Sequence, residues 1–364
     1  MNRIKQISQN KACDLNDPAE NIAYIDAIRV FAAVLVVTLH CLSYSLTQVD
    51  TESALWWVTG LVSELTRVGV PLFFMISGYL IMGSDKTRRP GQFYKKRIRK
   101  LMIPFLVWNF IYYSYYRLAE KKPFWSFDFV SELFCTGSGY HLWFIYSMLI
   151  VCLFMPFVKL ILDAGTRRMQ WLFFLLVIMQ TTLKPTLNLL LGEKLYLYFA
   201  EDGMIGYLGY AVLGWLLGSS KISGKQSRPI YLLGGIVFFA AARINCMWAA
   251  EGRGFLLNGG YTINHYIEAS AVFLLFRNRC TRHFPAAKRL SNACMTVYFV
   301  HVLIIECIMR YLYPGMKIKL SVFVYLLAAA AVLLSFGFAV FWETIKKYLK
   351  CDRGEIICSI IKNK

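Results

Sequence analysis

The 364-residue chain is 57% apolar and only 17% charged, with a mean hydropathy of +0.49. Soluble domains carry about 25% charged residues, so these values exclude an ordinary soluble fold. In such a chain the net charge of +19 points to basic loops collected on one side of a membrane, not to nucleic acid.

Apolar runs of roughly 20 residues recur along the chain, the length a helix needs to cross a hydrocarbon core. Lipid offers the backbone no hydrogen bonds, so spans are helices or a closed barrel. Continuous runs rather than period-two alternation select helices. The predicted class is all-α, a polytopic transmembrane helical bundle of about ten spans. The spans fall near 24–46, 54–82, 101–118, 141–162, 170–190, 203–218, 230–249, 261–276, 291–312 and 319–345. Lys184 and Pro185 interrupt the fifth, and the sixth and eighth are short.

The opening residues hold Arg3, Lys5, Lys11, Asp14, Asp17 and Glu20 without an apolar core. This predicts a first span retained as an anchor rather than cleaved as a secretory signal. The N-terminus, segments 83–100, 163–169, 219–229 and 277–290, and the C-terminus together hold 27 Lys and Arg. The alternate segments 47–53, 119–140, 191–202, 250–260 and 313–318, with Lys184, hold 6. That asymmetry predicts that both termini are cytoplasmic. The chain divides into an N-terminal segment 1–23, one membrane domain 24–345, and a basic tail 346–364 expected to lie along the inner membrane surface.

Ten cysteines show no C-x-x-C and no metal-ligand spacing. Cys41, Cys152, Cys294 and Cys307 fall in apolar runs and read as small packing residues. Cys135 stands alone in a predicted outer segment, so no external disulfide is expected.

Charged groups inside spans are costly and face cavities or partners, which makes them the candidate functional residues. In the first span Arg29 and His40 are eleven residues apart; at ~100° per residue they return to within ~20° of one direction, with a rise of ~16 Å. Asp26, three residues before Arg29, shares that face. Taken singly, each has a plainer reading: Arg29 as a snorkelling cation, Asp26 as a first-turn acid, and His40 as a hydrogen-bonded core residue. His301 is a second intramembrane histidine. Trp143 and Phe144, beside His141, read equally as an interfacial aromatic belt. Glu306 is placed to pair with His301 or Arg310, and His265 stands without a motif. Gly78, after Ser77, suits close helix approach. Phe124, Trp125, Phe127, Phe129 and Tyr140 of segment 119–140 read equally as a sugar-stacking platform or as an interfacial element.

The Arg29-x10-His40 spacing, with Ile25-Asp26-Ala27-Ile28-Arg29 around it, resembles the first helix of the bacterial acyltransferase 3 family. Further matches follow in order: Gly69-Val70-Pro71-Leu72-Phe73-Phe74-Met75-Ile76-Ser77-Gly78-Tyr79-Leu80, then Tyr94 to Pro104 with Arg97, Arg99 and Lys100. His141-Leu142-Trp143-Phe144 and Val297-Tyr298-Phe299-Val300-His301 complete the set, which extends from residue 25 to 301. One departure is Lys100, where family members often carry the second Arg of R-x-x-R; charge is kept and the bidentate fork is lost.

The resemblance implies transfer of an acyl group, commonly acetyl, from cytoplasmic acyl-CoA to a hydroxyl of a cell-surface polysaccharide or its lipid-linked precursor, in the bacterial inner membrane. His40 would be the general base and Arg29 its catalytic companion at the donor. Arg97, Arg99 and Lys100, with Arg29, would hold the CoA phosphates. Asp26, His301, Tyr298, His141 and Trp143 would support them. Direct transfer and a histidine-bound acyl intermediate remain alternatives. Related membrane domains occur attached to other enzymes, so a small-molecule transporter or a ligand-sensing domain is the competing reading. No P-loop, Rossmann fingerprint or H-E-x-x-H occurs, so no resident cofactor and no metal are expected. Partners reduce to acyl-CoA, a glycan acceptor and membrane lipid; the oligomeric state is open.

Overall fold

The computed structural model describes residues 18–46, 49–123, 128–135, 137–191 and 206–362. Among them no strand occurs, and the chain folds as helices connected by short turns. In order these are α1 (Pro18–Leu42), α2 (Ala54–Arg67), α3 (Gly69–Met82), α4 (Pro90–Ala119), α5 (Asp128–Cys135) and α6 (Trp143–Ala164). There follow α7 (Arg167–Leu191), α8 (Leu208–Gly218), α9 (Arg228–Ala250), α10 (Ile263–Arg279), α11 (Pro285–Cys307) and α12 (Leu320–Lys362).

Among the described residues, six helical stretches are long and apolar enough to cross a membrane: Ala23–Leu42, Ala54–Met82, Tyr140–Ala164, Arg228–Ala250, Pro285–Gly315 and Leu320–Tyr348. Large apolar side chains such as Leu160, Leu333 and Phe341 point outward from them, as lipid-facing residues do and as a soluble surface would not tolerate in such number. The protein is therefore a multi-pass membrane protein. A helix occupies each of the ten expected places, but α8 and α10 are short, with 11 and 17 residues. The third place belongs to a 30-residue helix whose first third is the basic segment.

Several local expectations change. Lys184 and Pro185 do not interrupt the fifth element, because α7 runs unbroken to Leu191. Pro104 and Pro156 likewise lie inside α4 and α6, as proline can where neighbouring helices satisfy the freed carbonyl. The predicted second span is two helices divided at Val68. Pro71 explains the division, since it lacks the N–H that the Arg67 carbonyl would receive and its ring crowds that carbonyl. The tail is not separate at residue 346 either: α12 continues to Lys362. Segment 119–140 contains α5, to which Arg117 is tied through Asp128 at 2.8 Å and Glu132 at 3.4 Å. Residues 124–127 and 203–205 lie outside the described residues, as do the basic residues expected at 3, 5 and 11.

Helix α1 is central, packing against α2, α3, α11 and α12. Its Tyr24, Ile25, Ile28, Ala32 and Leu35 join the main apolar core, and Val37 and Cys41 join a second core with α11 and α12. Against α8, α3 comes to backbone contact: a Cβ on Gly78 would strike the Ala211 backbone, and one on Gly214 the Met75 backbone. Two small residues facing opposite ways thus weld the crossing, which is the use expected for Gly78. At the other flank Gly60 of α2 closes onto Cys246 of α9. Cys41, Cys152 and Cys294 are buried and free, in keeping with a packing role; Cys307 is half-buried and free.

Candidate active site

Two clusters lie along the seam between α1 and α11. Near the start of α11, Ser291 donates to Asp26 Oδ1 at 2.6 Å, and Arg29 donates both to Ser291 Oγ and, at 3.3 Å, to Asp26. The result is a closed triangle of carboxylate, hydroxyl and guanidinium. Asp26 is buried while 27% of the Arg29 side chain stays exposed, so the guanidinium is oriented by one edge and keeps other N–H groups for a ligand. A cavity of about 210 Å³ opens beside Asp26, between α1 and the Cys280–Ala287 turn.

Ten residues further along α11, His301 meets His40. Their ring centroids are 5.2 Å apart, and His141 stands 5.2 Å from His301 and 6.4 Å from His40. Arg29 and His40 therefore do face one way, onto the same neighbouring helix. His301 Nδ1 lies 2.7 Å from the Tyr298 carbonyl and 3.2 Å from that of Val297. Carbonyls only accept, so the proton sits on Nδ1 and the Nε2 lone pair is left without a partner. His301 and His141 are fully buried, whereas His40 is half-buried and is the accessible member of the three.

Rigid groups surround the trio. Tyr298 donates to the His141 carbonyl at 2.8 Å. Tyr112 of α4 donates to the Phe299 carbonyl at 2.8 Å and accepts from the Leu303 N–H at 3.0 Å, spanning a turn of α11. Tyr140 packs on His40 at 5.2 Å between centroids and is itself 46% exposed. Trp143 belongs elsewhere, stacking on Tyr207 at 5.5 Å, while Phe144 fills the gap between Phe74 and Tyr298. Glu306 pairs with neither His301 nor Arg310: Tyr44 donates to it at 3.0 Å, and Arg310 bonds the Ala119 carbonyl.

The basic segment forms the first three turns of α4, at the Arg29 end of the bundle. Arg97 is half-buried with its guanidinium 6.0 Å from the Phe93 ring, and Lys100 feels the charges of Arg97, Arg29 and Lys96. Those charges, added to partial desolvation, push the Lys100 ammonium below the usual lysine range. Among the described residues no carboxylate pairs with Arg97, Arg99 or Lys100. Arg99 is exposed, and no contact draws it toward Arg29.

Some parts escape the sequence reading. Tyr140 is named there only among the aromatic residues of segment 119–140, and its adjacency to His141 was the signal for its place beside His40. Arg67, two residues before the Gly69 motif, lies within electrostatic reach of both His40 and Glu64. Glu64, His265 and Glu268 converge from α2 and α10; neither segment hints at the other, because the meeting depends on helix packing.

A membrane-embedded helical bundle with a histidine cluster on its inner seam and a basic mouth defines the class. The acyltransferase 3 family model, described as an acyltransferase domain, matches residues 22–342, and the chain belongs to that family. The serine/alanine racemase of Enterococcus gallinarum is 28% identical over 162 residues, which is 41% of this chain and 21% of that protein. The chain thus spans about a fifth of the length of that curated relative. No solved structure matches the chain.

Proposed function

We propose that this protein is an acyl-CoA-dependent O-acyltransferase of the bacterial inner membrane, moving an acyl group, acetyl in the first instance, onto a hydroxyl of a surface polysaccharide or its lipid-linked precursor. The observation that carries this reading is the pair Arg29 and His40 on one face of α1, each engaged with α11, beside an unpaired basic group on α4. With both termini cytoplasmic, that basic mouth opens toward the donor pool. Arg97 and Lys100, with Arg29, are suited to the CoA phosphates, and Arg99 supplies a more peripheral charge.

His40 takes the proton of the acceptor hydroxyl through a ring nitrogen. The oxygen attacks the thioester carbonyl carbon, the carbon–sulfur bond breaks, and the proton passes to the departing CoA thiolate, giving ester and free thiol. The unspent Nε2 of His301, on the ring facing His40, is the acceptor we assign to the other N–H of His40 during turnover, which would set its tautomer. Asp26 and Ser291 position Arg29 and touch no substrate. A transporter or sensing role gains no support from the family match.

The test is comparative mass spectrometry of surface glycans from cells carrying wild-type protein, His40→Ala, or none. An acyl mass increment seen with wild type alone supports the assignment. Full acylation in well-expressed His40→Ala removes His40 from the chemistry, and no increment in any strain sinks the enzyme reading.

A further inference from the structure

We infer that Glu64, His265 and Glu268 form a divalent metal site, with zinc the fitting ion, buried between α2 and α10. One donor atom from each lies within 4.8 Å of the other two, and all three residues are at most 3% exposed. Absence of an H-E-x-x-H motif does not bear on such a site, since its ligands come from separate helices.

The histidine is built as a ligand. Its Nδ1 lies 3.1 Å from the Gly259 carbonyl and 3.1 Å from Thr262 Oγ1. The carbonyl fixes the proton on Nδ1, so the Nε2 lone pair points inward, the arrangement that outer-shell carbonyls impose on metal-bound imidazoles. That Nε2 has no hydrogen-bond partner, yet it faces Glu64 Oε1 at 3.6 Å. Two acceptors directed at each other repel unless a cation or a proton lies between them.

The carboxylates agree. Glu64 is oriented by the amides of Asn264 at 2.8 Å and Asn245 at 3.0 Å, which leaves lone pairs on both of its oxygens. Glu268 approaches Glu64 and Asn264, but neither of its oxygens completes a hydrogen bond, and Asn264 Oδ1 is also buried and unspent. Two ionised carboxylates against the single Arg67 would leave a negative charge bare in an apolar interior, which is costly, so a cation or a proton has to meet it. Nitrogen and carboxylate ligands suit zinc, and at bond lengths of ~2.0–2.2 Å tetrahedral donors sit ~3.4 Å apart, a small rotamer closure from the present geometry. Asn264, whose amide already bonds Glu64 and whose Oδ1 is buried and unspent, is the nearest candidate for a fourth donor.

Full-length protein purified in detergent and exchanged into metal-free buffer should retain near-stoichiometric zinc by elemental mass spectrometry, and Glu268→Gln should lose it. After chelation, added Zn²⁺ should raise the thermal midpoint of the wild type by at least about 3 °C at saturating excess and leave Glu268→Gln unmoved. Glu268→Gln is isosteric and introduces no charge, so it disturbs the packing less than His265→Ala, which leaves a cavity. Equal midpoints for both proteins with and without Zn²⁺, or an infrared band of a protonated carboxyl in the untreated wild type that vanishes in Glu268→Gln, overturns the site: a proton then does the work assigned to the metal.

Discussion

The imidazoles of His40 and His301 face each other at 5.2 Å between ring centroids, joining α1 to α11 where the candidate chemistry lies. If His301 sets the tautomer of His40, the two act as one unit. His40→Ala should lower kcat by ~10²–10⁴ with little change in donor KM, and His301→Gln should lower kcat in the same sense but less. Their double variant should be no slower than His40→Ala, because effects within a unit do not add. Steady-state release of CoA thiol by purified variants measures this, and additive losses would show that His301 works independently.

The triangle of Asp26, Ser291 and Arg29 predicts a different signature. Ser291→Ala removes the hydroxyl that bonds both charged partners, so Arg29 is held less firmly and donor KM should rise about tenfold with kcat nearly unchanged. Arg29→Lys keeps the charge and loses the planar fork, and should raise KM further. Titration of acetyl-CoA against initial rate distinguishes these outcomes from a general loss of folded protein.

Lys100 supplies a pH dependence. Its ammonium is held below the ordinary lysine range by desolvation and by Arg97, Arg29 and Lys96, so it releases its proton at lower pH than a free lysine does. Binding of a polyanionic donor that depends on this charge is complete on the acid side and weakens as pH rises through the depressed value. Lys100→Arg, charged throughout, should move the weakening to higher pH, and Lys100→Ala should abolish it while lowering affinity at neutral pH. Donor KM measured across alkaline pH is the readout; identical profiles for all three proteins would remove Lys100 from donor binding.

The weld between α3 and α8 is a stability prediction. Gly78→Val places a branched side chain where the Ala211 backbone already lies, and overpacking costs about 1–3 kcal/mol or more. A substitution at Gly235, whose Cβ would meet nothing within 4 Å, serves as the control. Thermal unfolding in detergent should separate the two clearly.

The helical class and the α1 face could be read directly from the chain, because both follow from local periodicity: hydropathy finds the helices, and 3.6 residues per turn aligns Arg29 with His40. His301 was legible as an intramembrane histidine and His141 chiefly through motif resemblance, and their assembly around His40 depends on packing among α1, α4, α6 and α11. Glu306 went astray for the same reason, since its hydroxyl partner Tyr44 is 262 positions away. The convergence of Glu64 with His265 and Glu268 spans about 200 residues and left no local trace. The division at Val68 was written plainly in Pro71, but hydropathy averaged over a long apolar window hides it.

That division has a mechanical meaning. On one side of Val68, α3 is locked to α8; on the other, α2 is closed onto α9 through Gly60 and Cys246. The two helices are thus each fixed to a different partner and meet at a joint, and the residue beside that joint is Arg67, which lies within electrostatic reach of His40. A tilt of one helix against the other would shift that positive charge relative to the imidazole.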